Sequence, residues 1–199
     1  DNEYPKKLKH CPDAPVLLYF KGNASLNATR VIAIVGTRNN TDYGLRCTEH
    51  FIEGLKTEDL LIVSGLAFGI DGIAHRKSLR EGIPTVGVLG HGLDRIYPAQ
   101  HKALARDMLE NGGLLTEHVS GTKADKQNFP TRNRIAAGMS DVTVVIETDE
   151  KGGSMITAKL ASGYNREVAA FPGRTIDNKS RGCNYLIRTN IAQMITSAD

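Results

Sequence analysis

The chain has 199 residues, of which 40% are hydrophobic and 24% charged, and a formal net charge of +3 at pH 7. This is the composition of an ordinary soluble globular protein, and a chain of this length can bury a core without disulfides or metals. No apolar run approaches the roughly 18 residues of a membrane span, and no secretory signal is recognisable near the start. Three cysteines, few and far apart, indicate a reducing cytoplasm and no zinc site.

Short apolar runs alternate with longer amphipathic ones, which predicts βα units on a parallel sheet. The segment up to about residue 30 differs, because its prolines and the apolar run 16–20 indicate an extended lead-in with a strand of its own. We therefore expect an N-terminal extension, residues 1–30, packed on one domain, residues 31–199. The first residue is Asp1 rather than Met, which indicates a domain excised from a longer protein.

The predicted fold class is α/β, an extended Rossmann-like fold with a mostly parallel sheet and helices on both faces. The predicted strands are residues 31–35, 60–63, 85–89, 114–117, 142–147, 168–171 and a last edge strand at 192–195. The predicted helices are residues 43–56, 70–81, 100–110, 131–139, 154–164 and 184–188.

The loops that follow the predicted strands are rich in glycine and hydroxyl residues, and several lead directly into helices. In an open parallel sheet such loops gather along one rim, where ligands bind. Helix N-termini at this rim carry unpaired N–H groups and the positive end of the helix dipole, so the rim is predicted to bind phosphate oxygens. The dinucleotide, P-loop and serine-hydrolase motifs are absent from the sequence.

Cations accompany this rim. Arg38 follows the first strand, where its side chain can reach a phosphate; the alternative is a surface salt bridge. Lys126 and Phe129 combine a cation with an aromatic ring, which suits a single strand because a base can stack while its phosphate meets the cation. Alternatively, Phe129 folds inward to anchor the loop, and Pro130 fixes its backbone in either case. Basic residues also cluster at 123–134 and 174–188, where solvated loops are the alternative.

Six short motifs follow one another along the chain. They are Gly36-Thr37-Arg38 with Tyr43-Gly44, Ser64-Gly65-Leu66-Ala67 with Gly69-Ile70-Asp71, Gly92-Leu93-Asp94 with Tyr97-Pro98, Phe129-Pro130 with Arg132-Asn133-Arg134-Ile135, Gly152-Gly153-Ser154 with Thr157-Ala158, and Gly182-Cys183-Asn184 with Leu186-Ile187. In order and spacing they closely resemble successive motifs of the DNA-processing protein A family, over nearly the whole chain. Thr189-Asn190-Ile191 departs from the small Gly-Ala that usually follows the last motif in that family.

The resemblance implies a cytoplasmic protein that binds single-stranded DNA, protects it during natural transformation and helps to load the RecA recombinase. It also implies a homodimer that is not an enzyme and needs no cofactor or metal. By motif alignment, the DNA contacts fall on Gly36, Thr37, Arg38, Gly65, Lys126, Phe129, Arg132, Asn133, Arg134, Gly152, Gly153 and Ser154.

Carboxylates near the strand ends need their own explanation, since a polyanion would be repelled by them. We expect Asp71 to favour a helix N-terminus and to hold His75, four residues on, and we expect Glu117 and Glu147 to orient rim arginines. The alternative is that these carboxylates act as a general acid and a general base, in an enzyme similar to the nucleotide N-glycoside phosphoribohydrolases. The turn at residues 150–158 resembles the phosphate turn of that class only in part. A structural scaffold with a vestigial pocket is the third interpretation.

Overall fold

The computed structural model describes residues 3–55 and 58–198, and within these ranges one eight-stranded sheet organises the chain. Its strands are β1 (Tyr19–Gly22), β2 (Arg30–Val35), β3 (Leu60–Ser64), β4 (Thr85–Val88), β5 (Gly112–Thr116), β6 (Val142–Val145), β7 (Glu167–Ala170) and β8 (Gln193–Met194). Their order across the sheet is β1-β5-β4-β3-β2-β6-β7-β8. Every neighbouring pair is parallel except β1 with β5, which confirms the mostly parallel α/β sheet.

Helices cover both faces of this sheet. They are α1 (Lys6–Lys9), α2 (Asp42–Gly54), α3 (Ile70–Arg80), α4 (Lys102–Glu110), α5 (Asn128–Met139), α6 (Gly153–Gly163) and α7 (Arg181–Arg188). Along β2, Ile32 and Ile34 pack with α2 and α3, whereas Val31 packs with α1 and α5 on the opposite face. Successive strand side chains point to opposite faces, so a strand covered on both sides has to be apolar throughout. None of the helices in the described ranges has the length and apolar character needed to cross a bilayer.

The direction of sheet growth reverses at β2. From β2 the chain builds β3, β4 and β5 outward on one side, and it then crosses over to build β6, β7 and β8 on the other. The loops after β2 and β6 therefore leave their strands in opposite directions and open a crevice at the carboxyl ends. In doubly wound sheets this reversal point is where ligands bind. The fold thus selects the ends of β2, β3 and β6 as the place to look for a site.

Helix α5 begins at Asn128, three residues before the predicted start at residue 131. The predicted helix begins only after Pro130, because a proline disfavours a helical conformation in the residue before it. Pro130 occupies the third helical position, where its missing N–H has no intrahelical acceptor to lose. Phe129 therefore lies in the first turn of a helix rather than in a loop.

The strand predicted at residues 16–20 is also misplaced. Val16 and Leu17 are exposed, and β1 begins only at Tyr19. Its register is set by Gly22, which lies opposite Gly113 at a φ of 151°, an arrangement that an apolar pattern does not reveal.

The other predicted helices and strands agree with the structure to within three residues at each end, and the predicted edge strand is the short β8. The predicted end of the first long helix, Lys56, lies outside the described residues. The N-terminal segment packs on the sheet, because Leu8, Cys11 and Leu26 share a core cluster with Val31. The boundary between an extension and a domain at residue 30 stays a prediction.

Candidate functional site

A cleft of about 560 Å³ opens at the reversal point, walled by the loops after β2, β3 and β6 and by the first turns of α5 and α6. Eleven of the twelve predicted contact residues line it. They are Gly36, Thr37, Arg38, Gly65, Lys126, Phe129, Arg132, Asn133, Gly152, Gly153 and Ser154. Residues more than a hundred positions apart in sequence are thus brought together in one cavity. We call this cavity the cleft.

The floor of the cleft holds two buried groups of opposite charge, Asp71 and Arg132, which are 8% and 6% exposed. Atoms of both side chains lie within 2.6 Å of the place that a Cβ at residue 65 would take, so only glycine fits at Gly65. Burial raises the pKa of the Asp71 carboxyl, and the nearby Arg132 guanidinium opposes that rise.

Burial also lowers the pKa of Arg132, although a guanidinium keeps its charge in proteins. Its Nε is buried and has no hydrogen-bond partner in the part of the chain that the structure describes. Buried donors are normally paired, so this one is notable. Arg132 therefore presents a cation to the cleft with a hydrogen-bonding position unused.

Arg38, Phe129 and Tyr97 form a stack at one wall of the cleft. The guanidinium carbon of Arg38 lies 5.4 Å from the centroid of the Phe129 ring, within the range of a cation–π contact. The Tyr97 ring centroid lies 5.7 Å from that of Phe129, with the two planes inclined by 33°. Arg38 and Tyr97 are exposed and Phe129 is half-buried. Tyr97 was not among the predicted contacts, although the Tyr97-Pro98 pair belongs to the third motif and could have indicated it.

The loop that carries Arg38 is held at the preceding residue, Thr37, by two backbone hydrogen bonds. The Thr37 amide donates to the Glu147 carbonyl at 2.7 Å, and the Ile70 amide donates to the Thr37 carbonyl at 3.2 Å. Gly69 makes this approach feasible, because it adopts a φ of 73° and a Cβ there would lie 2.2 Å from the Thr37 oxygen. The position of Arg38 thus depends on the ends of two other loops.

The opposite wall is the turn that leads from β6 into α6. The Gly152 amide donates to the Asp149 carbonyl at 2.9 Å, and the Ser154 hydroxyl donates to Thr148 Oγ1 at 2.7 Å. Since Ser154 is buried and its proton is used in this way, its hydroxyl serves the turn itself. Thr148 also lines the cleft, although it was not among the predicted contacts. Its position directly after the predicted strand 142–147 could have indicated it.

Arg134 is the predicted contact residue that the structure does not bring to the cleft. Its guanidinium makes a bidentate ion pair with Glu117, at 2.5 and 2.6 Å, and its Nε donates to the Asp13 carbonyl at 2.9 Å. Two residues along a helix correspond to a rotation of about 200°, so Arg134 and Arg132 point to opposite sides of α5. Glu117 does pair with an arginine, but not with one at the rim as predicted, because Arg134 ties α5 to the N-terminal segment.

Two further expectations about the acids were wrong. Glu147 accepts hydrogen bonds from the amide and the hydroxyl of Thr41, at 2.9 and 2.7 Å, and so fixes the N-terminus of α2 rather than an arginine. Asp71 does not hold His75, whose ring nitrogens lie 2.6 Å from the Thr85 hydroxyl and 2.6 Å from the Gly65 carbonyl oxygen. Asp71 instead accepts from the Ala67 amide at 3.4 Å.

Three cations that line the cleft have no carboxylate partner in the described residues. Across residues 3–55 and 58–198, no carboxylate oxygen lies within 4.0 Å of a side-chain nitrogen of Arg38, Lys126 or Arg132. In the same residues no cluster of three potential metal ligands is found. The fold and this cleft define a Rossmann-like α/β protein with cationic side chains in the crevice at the reversal point of its sheet.

The chain belongs to the DNA recombination-mediator protein A family, whose model matches residues 1–199. It is 40% identical over 201 residues to Protein Smf of Synechocystis sp., and 42% identical over 198 residues to DNA processing protein DprA of Streptococcus pneumoniae. Each match covers 99% of this chain, but only 50% of the first relative and 69% of the second. The chain therefore spans about half to two thirds of the length of these relatives.

Solved structures agree with this assignment. DNA processing protein A of Streptococcus pneumoniae superposes with a TM-score of 0.94 at 40% identity, over 100% of this chain and 69% of that one. The Helicobacter pylori protein, described for its single-stranded DNA binding mode, gives a TM-score of 0.89 at 33% identity, over 98% of this chain and 88% of that one. A molybdenum cofactor carrier protein of Chlamydomonas reinhardtii, at 15% identity and a TM-score of 0.56, shares the fold alone.

Proposed function

We propose that the cleft binds single-stranded DNA without catalysing a reaction on it. The observation that carries this proposal is the convergence of Arg38, Lys126 and Arg132 with the aromatic ring of Phe129 in one cleft. A flexible strand can bring each phosphate to a cation while its bases stack on exposed rings. The proposed contacts are the eleven predicted residues that line the cleft, together with Tyr97.

Backbone amides complete the proposed phosphate site. Helix α6 begins at Gly153, so its first amides have no intrahelical acceptors and lie beside the cleft. The positive end of the helix dipole adds to the attraction for phosphate oxygens. These groups recognise the backbone and carry no base information, so we expect binding to be largely independent of sequence.

The wider role that we propose rests on family membership. For the protein as a whole, we propose that it protects incoming single strands during natural transformation and helps to load the RecA recombinase, as a homodimer in the cytoplasm. The Helicobacter pylori relative, described for its single-stranded DNA binding mode, supports the DNA-binding part.

The non-enzymatic interpretation draws on the carboxylates. Glu117 is paired with Arg134 and Glu147 with Thr41, so neither is available for acid and base work in the cleft. Incubation with nucleoside monophosphates tests this part directly, since a phosphoribohydrolase-like enzyme would release free base. We expect none, and release of base would contradict the proposal.

A salt titration tests DNA binding itself. With roughly three to five phosphates neutralised, the slope of log K against log salt for a fluorescent oligothymidylate should be about −2 to −3.5, at about −0.7 per phosphate for single strands. Arg38→Ala should weaken binding and make the slope shallower without unfolding the protein. Binding that ignores salt, or a preference for duplex over single strands, would contradict the proposal.

A further inference from the structure

Two buried histidines support the turn that follows β3. His75 in α3 is fully buried, and His101, at the end of the 3-10 turn Ala99–His101, is 6% exposed. His75 Nε2 lies 2.6 Å from the carbonyl oxygen of Gly65, and His101 Nδ1 lies 2.9 Å from the carbonyl oxygen of Leu66. Two separate elements of the fold thus contact successive carbonyls of one turn.

The acceptors fix the protonation of both rings. A carbonyl oxygen can only accept, so the nitrogen that faces it must carry the proton. His75 is therefore protonated at Nε2, and its Nδ1 accepts from the Thr85 hydroxyl at 2.6 Å. His101 is protonated at Nδ1 by the same reasoning. Burial lowers the pKa of His75 to about 4, which agrees with a neutral ring.

This support decides which atoms of the turn face the cleft. In a trans peptide the C=O and the following N–H point in opposite directions, so holding the Leu66 carbonyl against His101 turns the Ala67 amide the other way. That amide lies 3.4 Å from Oδ2 of Asp71, at the cleft floor. The Gly65 carbonyl is likewise held against His75, whose ring is fully buried and does not line the cleft. A carbonyl oxygen turned into the cleft would add negative potential beside Arg132 and oppose a phosphate.

We propose that His75 and His101 are positioning residues for a phosphodiester strand, which hold the Gly65 and Leu66 carbonyls away from the cleft floor so that Arg132 meets a phosphate there. This inference rests on the proposed function of the cleft. It assigns the effect to a donated hydrogen bond and not to the volume of the rings, and this distinction makes it testable.

The test compares variants that keep the donor with variants that remove it. In His75→Gln the side-chain amide can donate from the position of Nε2, and in His101→Asn from the position of Nδ1; His75→Leu and His101→Leu remove the donor. A buried carbonyl without a donor is unfavourable, so in each leucine variant we expect the carbonyl to turn toward the solvent in the cleft. There it would repel a phosphate, and we expect oligothymidylate to bind roughly tenfold more weakly. The salt slope should become shallower by about 0.7, the loss of one phosphate contact. The donor-keeping variants should stay within about twofold of the parent.

The control is His50→Leu, which changes an exposed histidine on α2 and should leave the affinity unchanged. Thermal melting of each variant separates positioning from packing. Leucine variants that melt earlier but keep the parental affinity and slope would overturn the proposal, and so would donor-keeping variants that bind as weakly as the leucine variants.

A second measurement needs neither a variant nor DNA. Proton–nitrogen correlation spectra of the histidine rings in the parent protein should show His75 protonated at Nε2 and His101 at Nδ1. The opposite tautomer at either ring would overturn the positioning inference even if the cleft binds DNA. If the parent protein fails to bind DNA while the tautomers are as expected, the proposed function fails instead.

Discussion

Two sides of α5 carry arginines in opposite situations, two residues apart in sequence. Arg132 faces the cleft, where its Nε is unpartnered and Asp71 is its electrostatic neighbour. Arg134 faces the N-terminal segment, where Glu117 accepts hydrogen bonds from both of its terminal nitrogens. Both side chains are largely buried, so exposure does not distinguish them. The partners do, because an arginine whose donors are satisfied within the fold has little left for a ligand.

The same contrast extends beyond the two arginines. On the N-terminal side of α5, Lys7 pairs with Asp141 at 2.7 Å, and the Arg166 guanidinium donates to the Lys7 carbonyl at 2.7 Å. On the cleft side, Arg38 and Lys126 stand without carboxylates in the described ranges, and Arg38 lies over an aromatic ring. One side pairs its cations with other groups of the chain, whereas the cations on the other side have no carboxylate partner in the described ranges. Four predictions can break or sharpen this contrast.

The largest effect should come from Arg134→Ala, and it should be an effect on stability. The substitution leaves Glu117 largely buried without its partner, which costs about 3 kcal/mol of the free energy of unfolding. Denaturant unfolding measures this loss, while the affinity for single-stranded DNA should stay within about twofold of the parent. The double variant Arg134→Leu with Glu117→Leu should be less destabilised than Arg134→Ala, because the largely buried Glu117 carboxylate is then removed together with its partner. A loss of affinity at unchanged stability would remove the contrast.

Arg132→Gln should show the reverse pattern. Hydrogen bonds that involve a charged group contribute about 1.5 to 3 kcal/mol, so we expect the affinity for oligothymidylate to fall roughly 10- to 150-fold. Glutamine keeps polar atoms near Asp71, and loss of the Arg132 cation removes an effect that opposes the rise in the pKa of that carboxyl, so the neutral form becomes more favourable. Fluorescence anisotropy measures the affinity, and a melting curve checks that the protein is folded. Unchanged affinity in a folded variant would place the phosphate contact elsewhere.

How far the sequence anticipates these features depends on whether a feature is local. The apolar runs of β2, β3 and β6 and the glycine-rich loops after them are local signals, and they predicted both the parallel sheet and the edge at which the cleft lies. The ion pairs are not local. Glu147 and Thr41 lie 106 positions apart, so no local pattern shows that Glu147 meets a threonine whereas Glu117 meets an arginine. In the sequence, the two arginines of the motif Arg132-Asn133-Arg134 look equivalent. On the helix they point to opposite sides, because two residues correspond to a rotation of about 200°.

The first turn of α5 shows a second limit. Sequence rules placed Phe129 and Pro130 in a loop, because a proline disfavours a helical residue before it. In the structure this preference is overridden. The Phe129 ring contacts both Arg38 and Tyr97, and a Cβ at residue 90 would lie 3.1 Å from the ring. Tertiary contacts that no local pattern contains thus decide where the helix begins.

Phe129→Ala distinguishes two possible roles of this ring, which are stacking on DNA bases and anchoring the start of α5. If bases stack on it, the affinity should fall by about 1 to 2 kcal/mol, roughly 5- to 30-fold, with little change in the melting temperature. Tyr185→Ala is a matched control, since that ring also lies beside an arginine, Arg188 at 5.9 Å, but lines a different groove. A large fall in melting temperature with unchanged affinity would assign Phe129 to anchoring the helix.

The smallest effect should come from Lys126→Ala. Lys126 is exposed at the mouth of the cleft, so its charge acts through solvent and its contribution to affinity should be a few-fold at moderate salt. The salt slope is the more sensitive measure: the loss of one phosphate contact makes it shallower by about 0.7. Lys159→Ala, which removes another exposed lysine from α6 outside the cleft lining, should leave the slope unchanged. If both variants changed the slope equally, overall charge and not the cleft would hold the strand, and the contrast between the two sides of α5 would lose its meaning for DNA binding.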